Sequence, residues 1–292
     1  MLRVAVLMSI LVVSLSQVLG QTGTGYNSNL AKDHLERARA YEANGDPRAE
    51  AEYELAISFR GGIYPAAWED LSNSLAHGLR FAEAAKALRT AMRQSVRSRH
   101  AENLKRLNAL VRGADLKSRS EKNEVLTVDE LLDLVNLVDR FGVKGDAVPY
   151  GEKVASLYPG SSKALVALAD LIRSTQRDRA LKLFNRAVQL EPESWEVYSK
   201  RGWFFRWNLG TFADAETDFR KAIKLSEGRD SRAWQGLGDV LALQGHRKEA
   251  IEAYKSYLRV RKDSASYYDS EIKKQIKELE ENPEGSSAKT SP

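Results

Sequence analysis

Cysteine is absent from all 292 residues. That one absence removes disulfides, thiolate zinc sites and cysteine nucleophiles together. Histidine is nearly as scarce. His34, His77, His100 and His246 lie in four separate segments, and none is spaced with another histidine or a carboxylate as a metal pair would be. No phosphate-cradling glycine loop and no Gly-x-Ser-x-Gly elbow occurs. The sequence therefore assigns no catalytic residue, no metal and no cofactor, and the expected role is not enzymatic. Beyond residue 20 no apolar run approaches the ~20 residues that a spanning helix needs. Asn-x-Ser/Thr acceptors are also missing, since Asn27-Ser28-Asn29 and Asn73-Ser74-Leu75 both fail the rule.

The one long apolar run lies at residues 4–15, behind Arg3, and is followed by a short stretch ending Val18-Leu19-Gly20. This is the layout of an export signal cleaved after Gly20, with an uncleaved anchor as the alternative. The expected location is periplasmic or secreted, with no lipid anchor because no cysteine follows the apolar core. The missing glycosylation acceptors favour a bacterial envelope. Residues 21–29 read as a polar linker.

What the chain does have is a recurring helical hairpin, clearest at residues 231–262. Trp234, Leu237, Val240 and Leu241 recur at helical spacing and make one apolar face. Gly238 leaves a gap on that face where a second helix can approach, and Gly245 stops the first helix. Ala250 is the small residue at which the returning helix meets the first, and Tyr254, Tyr257 and Leu258 fill the interface. One such hairpin cannot bury its own apolar face and needs stacked neighbours. Copies follow: Ala180, Ala215 and Ala250 are 35 apart, each with an aromatic four residues on, Phe184, Phe219 and Tyr254. Ala147, Ala84 and Ala49 fit more loosely.

The Trp/Leu/Gly/Tyr, Gly, Ala/Phe/Ala/Pro spacing of residues 202–225 and 234–260 resembles the tetratricopeptide repeat family. The resemblance covers roughly 30–98 and 127–262. It implies an all-α fold, a right-handed superhelix of antiparallel hairpins with about six repeats, some degenerate. It also implies that the first helix of each hairpin lines an inner groove. Between the two stretches, 99–126 is expected to be a basic helix ended by Gly113, with Leu104, Leu107 and Leu110/Val111 as its apolar face, and then a loop over 114–123. Thr127 and Glu130 form a capping box for a helix whose partner runs over 146–158. Asp46-Pro47 and Ser161 or Ser162 open other helices, and a turn is expected at Gly78. Residues 264–281 read as a capping helix with Tyr267, Tyr268, Ile272, Ile276 and Leu279 inside, and 282–292 as a disordered tail.

Two surfaces are candidates for binding. Gly202 and Gly210 are eight apart where Gly238 and Gly245 are seven apart, so one extra residue sits near Trp207-Asn208-Leu209. Aligned from Gly202, Trp203, Arg206 and Trp207 point into the groove and Phe205 enters the core; Arg232 and Asp239 join the groove from the next repeat. This set would anchor a peptide or a sugar ring. The other reading is that the rings are structural. The second surface is basic: residues 80–122 hold 12 Lys/Arg against 4 Asp/Glu, with Lys86, Arg89, Arg93 and Arg97 on one helix face. It would suit an acidic protein, an anionic glycan or a membrane surface, or it is a solvated face. Nucleic acid is disfavoured, because no aromatic residue lies among the cations between Met92 and Lys122. Three roles follow: an exported scaffold binding a protein or peptide in the groove, an envelope- or glycan-associated factor using the basic face, or an accessory subunit of an enzyme complex.

Overall fold

A computed structural model describes residues 28–95, 100–143, 145–261 and 267–281. The expected export signal, nearly all of the expected 21–29 linker, Arg97 and the expected 282–292 tail lie outside them. The described residues form fourteen α-helices and no strand, so the all-α expectation holds. The chain divides into two units, one up to Ala147 and one from Val148.

The first unit contains α1 (Ser28–Ala43), α2 (Ala49–Ser58), α3 (Pro65–His77), α4 (Phe81–Gln94), α5 (His100–Glu121) and α6 (Val128–Phe141). They pair as α1/α2, α3/α4 and α5/α6. Ala49, Tyr53, Ala84, Leu88, Leu134 and Val138 are buried between them. Asp46, expected to cap α2, instead forms a turn ahead of it, its carboxylate accepting from the Arg48 N–H at 3.0 Å; the helix begins at Ala49, with Arg48 at its N-cap position and no side-chain cap. The Thr127/Glu130 capping box is closed in both directions, at 3.2 and 2.9 Å.

Two expectations fail in α5. Residues 114–123 are not a loop: α5 runs through Gly113 to Glu121. The glycine is there because a Cβ at 113 would stand 2.9 Å from the Phe81 ring, so it admits a neighbour and does not end the helix. The buried line of α5 is Asn103, Leu110, Gly113, Leu116 and Ser120, while Leu104 and Val111 are exposed. The α3/α4 turn comes at Gly78 as expected, with Leu79 beside it in the left-handed conformation, at φ 55°. The Leu79 carbonyl accepts from Lys117 Nζ at 3.1 Å, which ties the turn to α5.

The second unit contains α7 (Val148–Leu157), α8 (Ser162–Ile172), α9 (Arg177–Leu190), α10 (Trp195–Phe204), a π turn (Phe205–Leu209), α11 (Phe212–Leu225), α12 (Ser231–Leu243), α13 (Arg247–Val260) and α14 (Tyr267–Glu281). Its hairpins are α8/α9, α10/α11 and α12/α13, with α7 packed on α8 and α14 on α13. Three hairpins thus form in each unit, and the helix over 128–141 pairs with α5 where the helix over 146–158 was the expected partner. Ser161 is the residue that caps α8, accepting from the Ala164 N–H. Ala180, Ala215 and Ala250 have no exposed surface, and Phe184, Phe219 and Tyr254 are buried beside them. Ile272 and Ile276 of α14 close the end of this core. Tyr268, expected inside, is 63% exposed although it lies one turn before Ile272.

Candidate functional site

The site follows from one added residue. A Cβ at Gly238 would stand 2.5 Å from the Tyr254 ring, and one at Gly202 would stand 2.8 Å from the Phe219 ring. The two hairpins therefore pack alike at their glycines, yet Gly238 and Tyr254 are 16 residues apart and Gly202 and Phe219 are 17 apart. The surplus must be absorbed between glycine and turn. A π turn does this, since it is an α-helix widened by one residue, and such turns recur at functional sites. It spans Phe205–Leu209 and ends at Gly210, whose φ of 70° is left-handed. The sequence placed the insertion in this stretch, and the structure shows its form.

The widened turn decides where the aromatic run points. Phe204, not Phe205, enters the core: it is 1% exposed and packs 5.2 Å from Phe184. Phe205 is half-buried at the core edge, with the Arg201 guanidinium 5.5 Å from its centroid. Phe204 precedes the π turn and takes the buried place that Val240 has after Gly238, whereas Phe205, the first residue of the turn, leaves the place that Leu241 fills there.

Trp203 is half-buried and meets Phe219 edge to face at 5.3 Å. It also lies nearly parallel to Trp207, with centroids 6.4 Å apart and 10° between planes. Trp207 is 66% exposed. The Arg206 guanidinium sits 4.1 Å from the Trp207 centroid, within cation–π range. Its Nη2 lies 3.5 Å from Asp239 Oδ2, and Asp239 Oδ1 accepts from the Tyr254 hydroxyl at 2.9 Å. Burial pushes the Asp239 carboxyl above the usual carboxylate range, against the opposing pull of Arg206 and the Tyr254 hydroxyl. Burial, then the Asp239 charge, holds the Tyr254 phenol protonated well above its ordinary value. Trp203 Nε1 and Arg206 Nε are buried with no acceptor among the described residues.

Four of the five residues expected at the groove, Trp203, Arg206, Trp207 and Asp239, thus come together across α10, its π turn and α12. Arg232 stands apart, exposed in the first turn of α12 two turns before Asp239. On the basic face, Lys86, Arg89 and Arg93 share one exposed side of α4.

Sequence reasoning missed three things around the site. Phe219 is enclosed by two glycines, since a Cβ at Gly236 would stand 2.3 Å from its Cζ. Arg201 donates to the buried Asp218 through Nε and Nη2 at 2.7 and 2.8 Å. Trp68 and Trp234 each donate Nε1 to the carbonyl of a glycine six residues earlier, Gly62 and Gly228, at 2.9 Å. That last pair was open to view, as the same Gly-to-Trp interval in two repeats.

Residues 206–267, which hold Arg206, Trp207 and Asp239 and the whole α12/α13 hairpin, match the tetratricopeptide repeat family model. That segment is tetratricopeptide repeat sequence. No curated protein matches it. Solved structures similar to it include a crystal structure of MamA protein, at 20% identity over 70% of this chain and 94% of that one, with a TM-score of 0.42. Another is TTC0263, described as a thermophilic TPR protein in Thermus thermophilus, at 15% identity over 74% and 98%, with a TM-score of 0.47. A tetratricopeptide repeat fold supports a protein-binding scaffold. No helix among the described residues is long and apolar enough to cross a membrane.

Proposed function

We propose that this tetratricopeptide repeat protein is a non-catalytic scaffold that holds a partner polypeptide against the Trp203/Trp207 platform. The observation that carries this is Trp207 itself. A ring left 66% exposed offers a broad apolar face to a partner, and here a neighbouring indole and a guanidinium fix its position. Asp239 and Tyr254 hold that guanidinium in turn, so little side-chain freedom remains to be lost on binding. Exposed, pre-positioned tryptophan and arginine are the residue types that dominate binding energy at protein interfaces.

The test is affinity capture from the source cells with the wild-type protein and with Trp207→Ala. Because Trp207 is largely outside the core, its removal should change stability by no more than about 0.5 kcal/mol. The variant is expected to lose at least one captured partner while its helical spectrum and melting stay unchanged. Identical captured sets would remove the platform from the assignment.

The leader-like pattern of residues 1–20 supports placing this scaffold outside the cytoplasm. N-terminal sequencing of the protein from its native host should then begin at Gln21. A mature chain beginning at Met1 and recovered with cytoplasmic proteins would end the export reading.

A further inference from the structure

We infer that the exposed side of α4 docks an acidic segment of a protein partner, independently of the Trp207 platform in the other unit. Lys86, Arg89 and Arg93 fall at i, i+3 and i+7, a single stripe along the helix, and all three are exposed. The opposite side of α4 is fixed in the core by Ala84, Ala87, Leu88 and Ala91, so the stripe cannot turn inward.

These cations differ from most around them. In the same unit, Arg39 pairs with Asp70, Arg48 with Asp46, Arg112 with Asp115 and Asp133, Lys117 with Glu121, and Arg119 with Glu124 and Glu130. Lys86, Arg89 and Arg93 form no ion pair among the described residues. Glu83, the acid one turn from Lys86, is engaged by Arg80, which also takes Glu50 of α2. The residues that follow α4, Val96, Arg97, Ser98 and Arg99, bring no acid either. Like charges at this spacing repel by a few tenths of a kcal/mol per pair, and the attraction between Glu83 and Lys86 offsets only part of it.

The chemistry of the stripe selects the occupant. Two guanidinium groups and an ammonium, spread over about two helical turns, match carboxylates along an acidic polypeptide, with each arginine able to take one in bidentate fashion. An anionic bilayer fits less well. The exposed positions of α4 are Ala82, Glu83, Lys86, Arg89 and Arg93, with no large apolar side chain to enter a membrane, and three cations alone bind one weakly.

The experiment uses the full chain and a fluorescent peptide of about twelve residues rich in Glu and Asp, followed by anisotropy at low and high salt. Three proteins are compared: wild type, the triple reversal Lys86→Glu/Arg89→Glu/Arg93→Glu, and the control Lys273→Glu/Lys274→Glu/Lys277→Glu on exposed α14, which changes net charge equally. Three solvent-exposed pairs at typical strengths amount to roughly a tenfold change in affinity. Wild type and control should therefore bind, the α4 variant should bind about tenfold more weakly, and high salt should abolish the difference. Equal weakening in both variants would reduce the effect to bulk charge and overturn the inference. So would α4-dependent binding of phosphatidylglycerol vesicles with no binding of the peptide, which would make the stripe a membrane contact. An unchanged helical spectrum in each variant separates these outcomes from misfolding.

Discussion

Replacing Phe219 by alanine is expected to destabilise the second unit by about 3–5 kcal/mol, the range for deleting a buried aromatic ring. Phe219 has no exposed surface and is held between two helices that both carry glycine where they face it, Gly202 on α10 and Gly236 on α12. The sign of a second substitution checks the cause. In a helix interior alanine ordinarily exceeds glycine by about 0.5–1 kcal/mol. At Gly236 the new methyl would stand 2.3 Å from the Phe219 ring, so Gly236→Ala should instead destabilise by about 1–3 kcal/mol. Adding Phe219→Leu to Gly236→Ala should cost less than the sum of the two, since the smaller side chain leaves room for the methyl. Urea unfolding followed by tryptophan fluorescence suits the measurement, because Trp195, Trp203, Trp207 and Trp234 all lie in the second unit and only Trp68 in the first. A stabilising Gly236→Ala would mean that the ring is not seated there.

The second large effect is at the Arg201–Asp218 pair. The Asp218 side chain is 4% exposed and its carboxylate is held by two nitrogens of Arg201. Removing the cation with Arg201→Met leaves a buried carboxylate uncompensated, at a cost of about 3–5 kcal/mol at neutral pH. The pH dependence has a definite sign. Burial already pushes the Asp218 carboxyl above its usual range and Arg201 pulls it back, so losing Arg201 raises it further. A folded-state pKa above the unfolded value contributes stability that is fully present below the unfolded pKa. That contribution is lost as pH rises through the folded pKa. The deficit of Arg201→Met should therefore shrink as pH falls from neutral toward about 4, where the unfolded carboxyl titrates. Adding Asp218→Leu should recover much of the loss at neutral pH and remove this pH dependence. A deficit that stays constant with pH would show that packing, and not the stranded charge, is responsible.

These two effects also mark what the residues alone revealed. Ala180, Ala215 and Ala250 with their following aromatics could be read because each repeat solves the same packing problem at the same spacing. The gap at Gly238 was readable for the same reason. The extra residue before Gly210 was found by counting, but a count does not say how a helix accommodates a surplus. Once a π turn takes it, Phe205 leaves the core place that Leu241 keeps in the next hairpin. Gly113 misled because a glycine after an apolar stripe reads as a stop, whereas here it makes room for Phe81, 32 residues away in sequence. Such long-range partners leave no local trace. The Arg201–Asp218 pair was hidden likewise, since on a charged helix nothing local distinguishes the one carboxylate that becomes buried. At the platform, Trp203, Arg206, Trp207 and Asp239 were found because aromatic and charged residues shared the inner helices. Arg232, chosen by the same alignment, reaches none of them.

The central claim, that Trp207 is a binding surface and not a surplus ring, is tested most directly by the affinity of a partner recovered by capture. Its dissociation constant should be measured against wild type, Trp207→Phe and Trp207→Ala. If the platform works as proposed, Trp207→Ala weakens binding by roughly 30-fold or more, the scale of an interface hot spot, while Trp207→Phe keeps most of the affinity. A folded Trp207→Ala protein that binds every captured partner as tightly as wild type would contradict it.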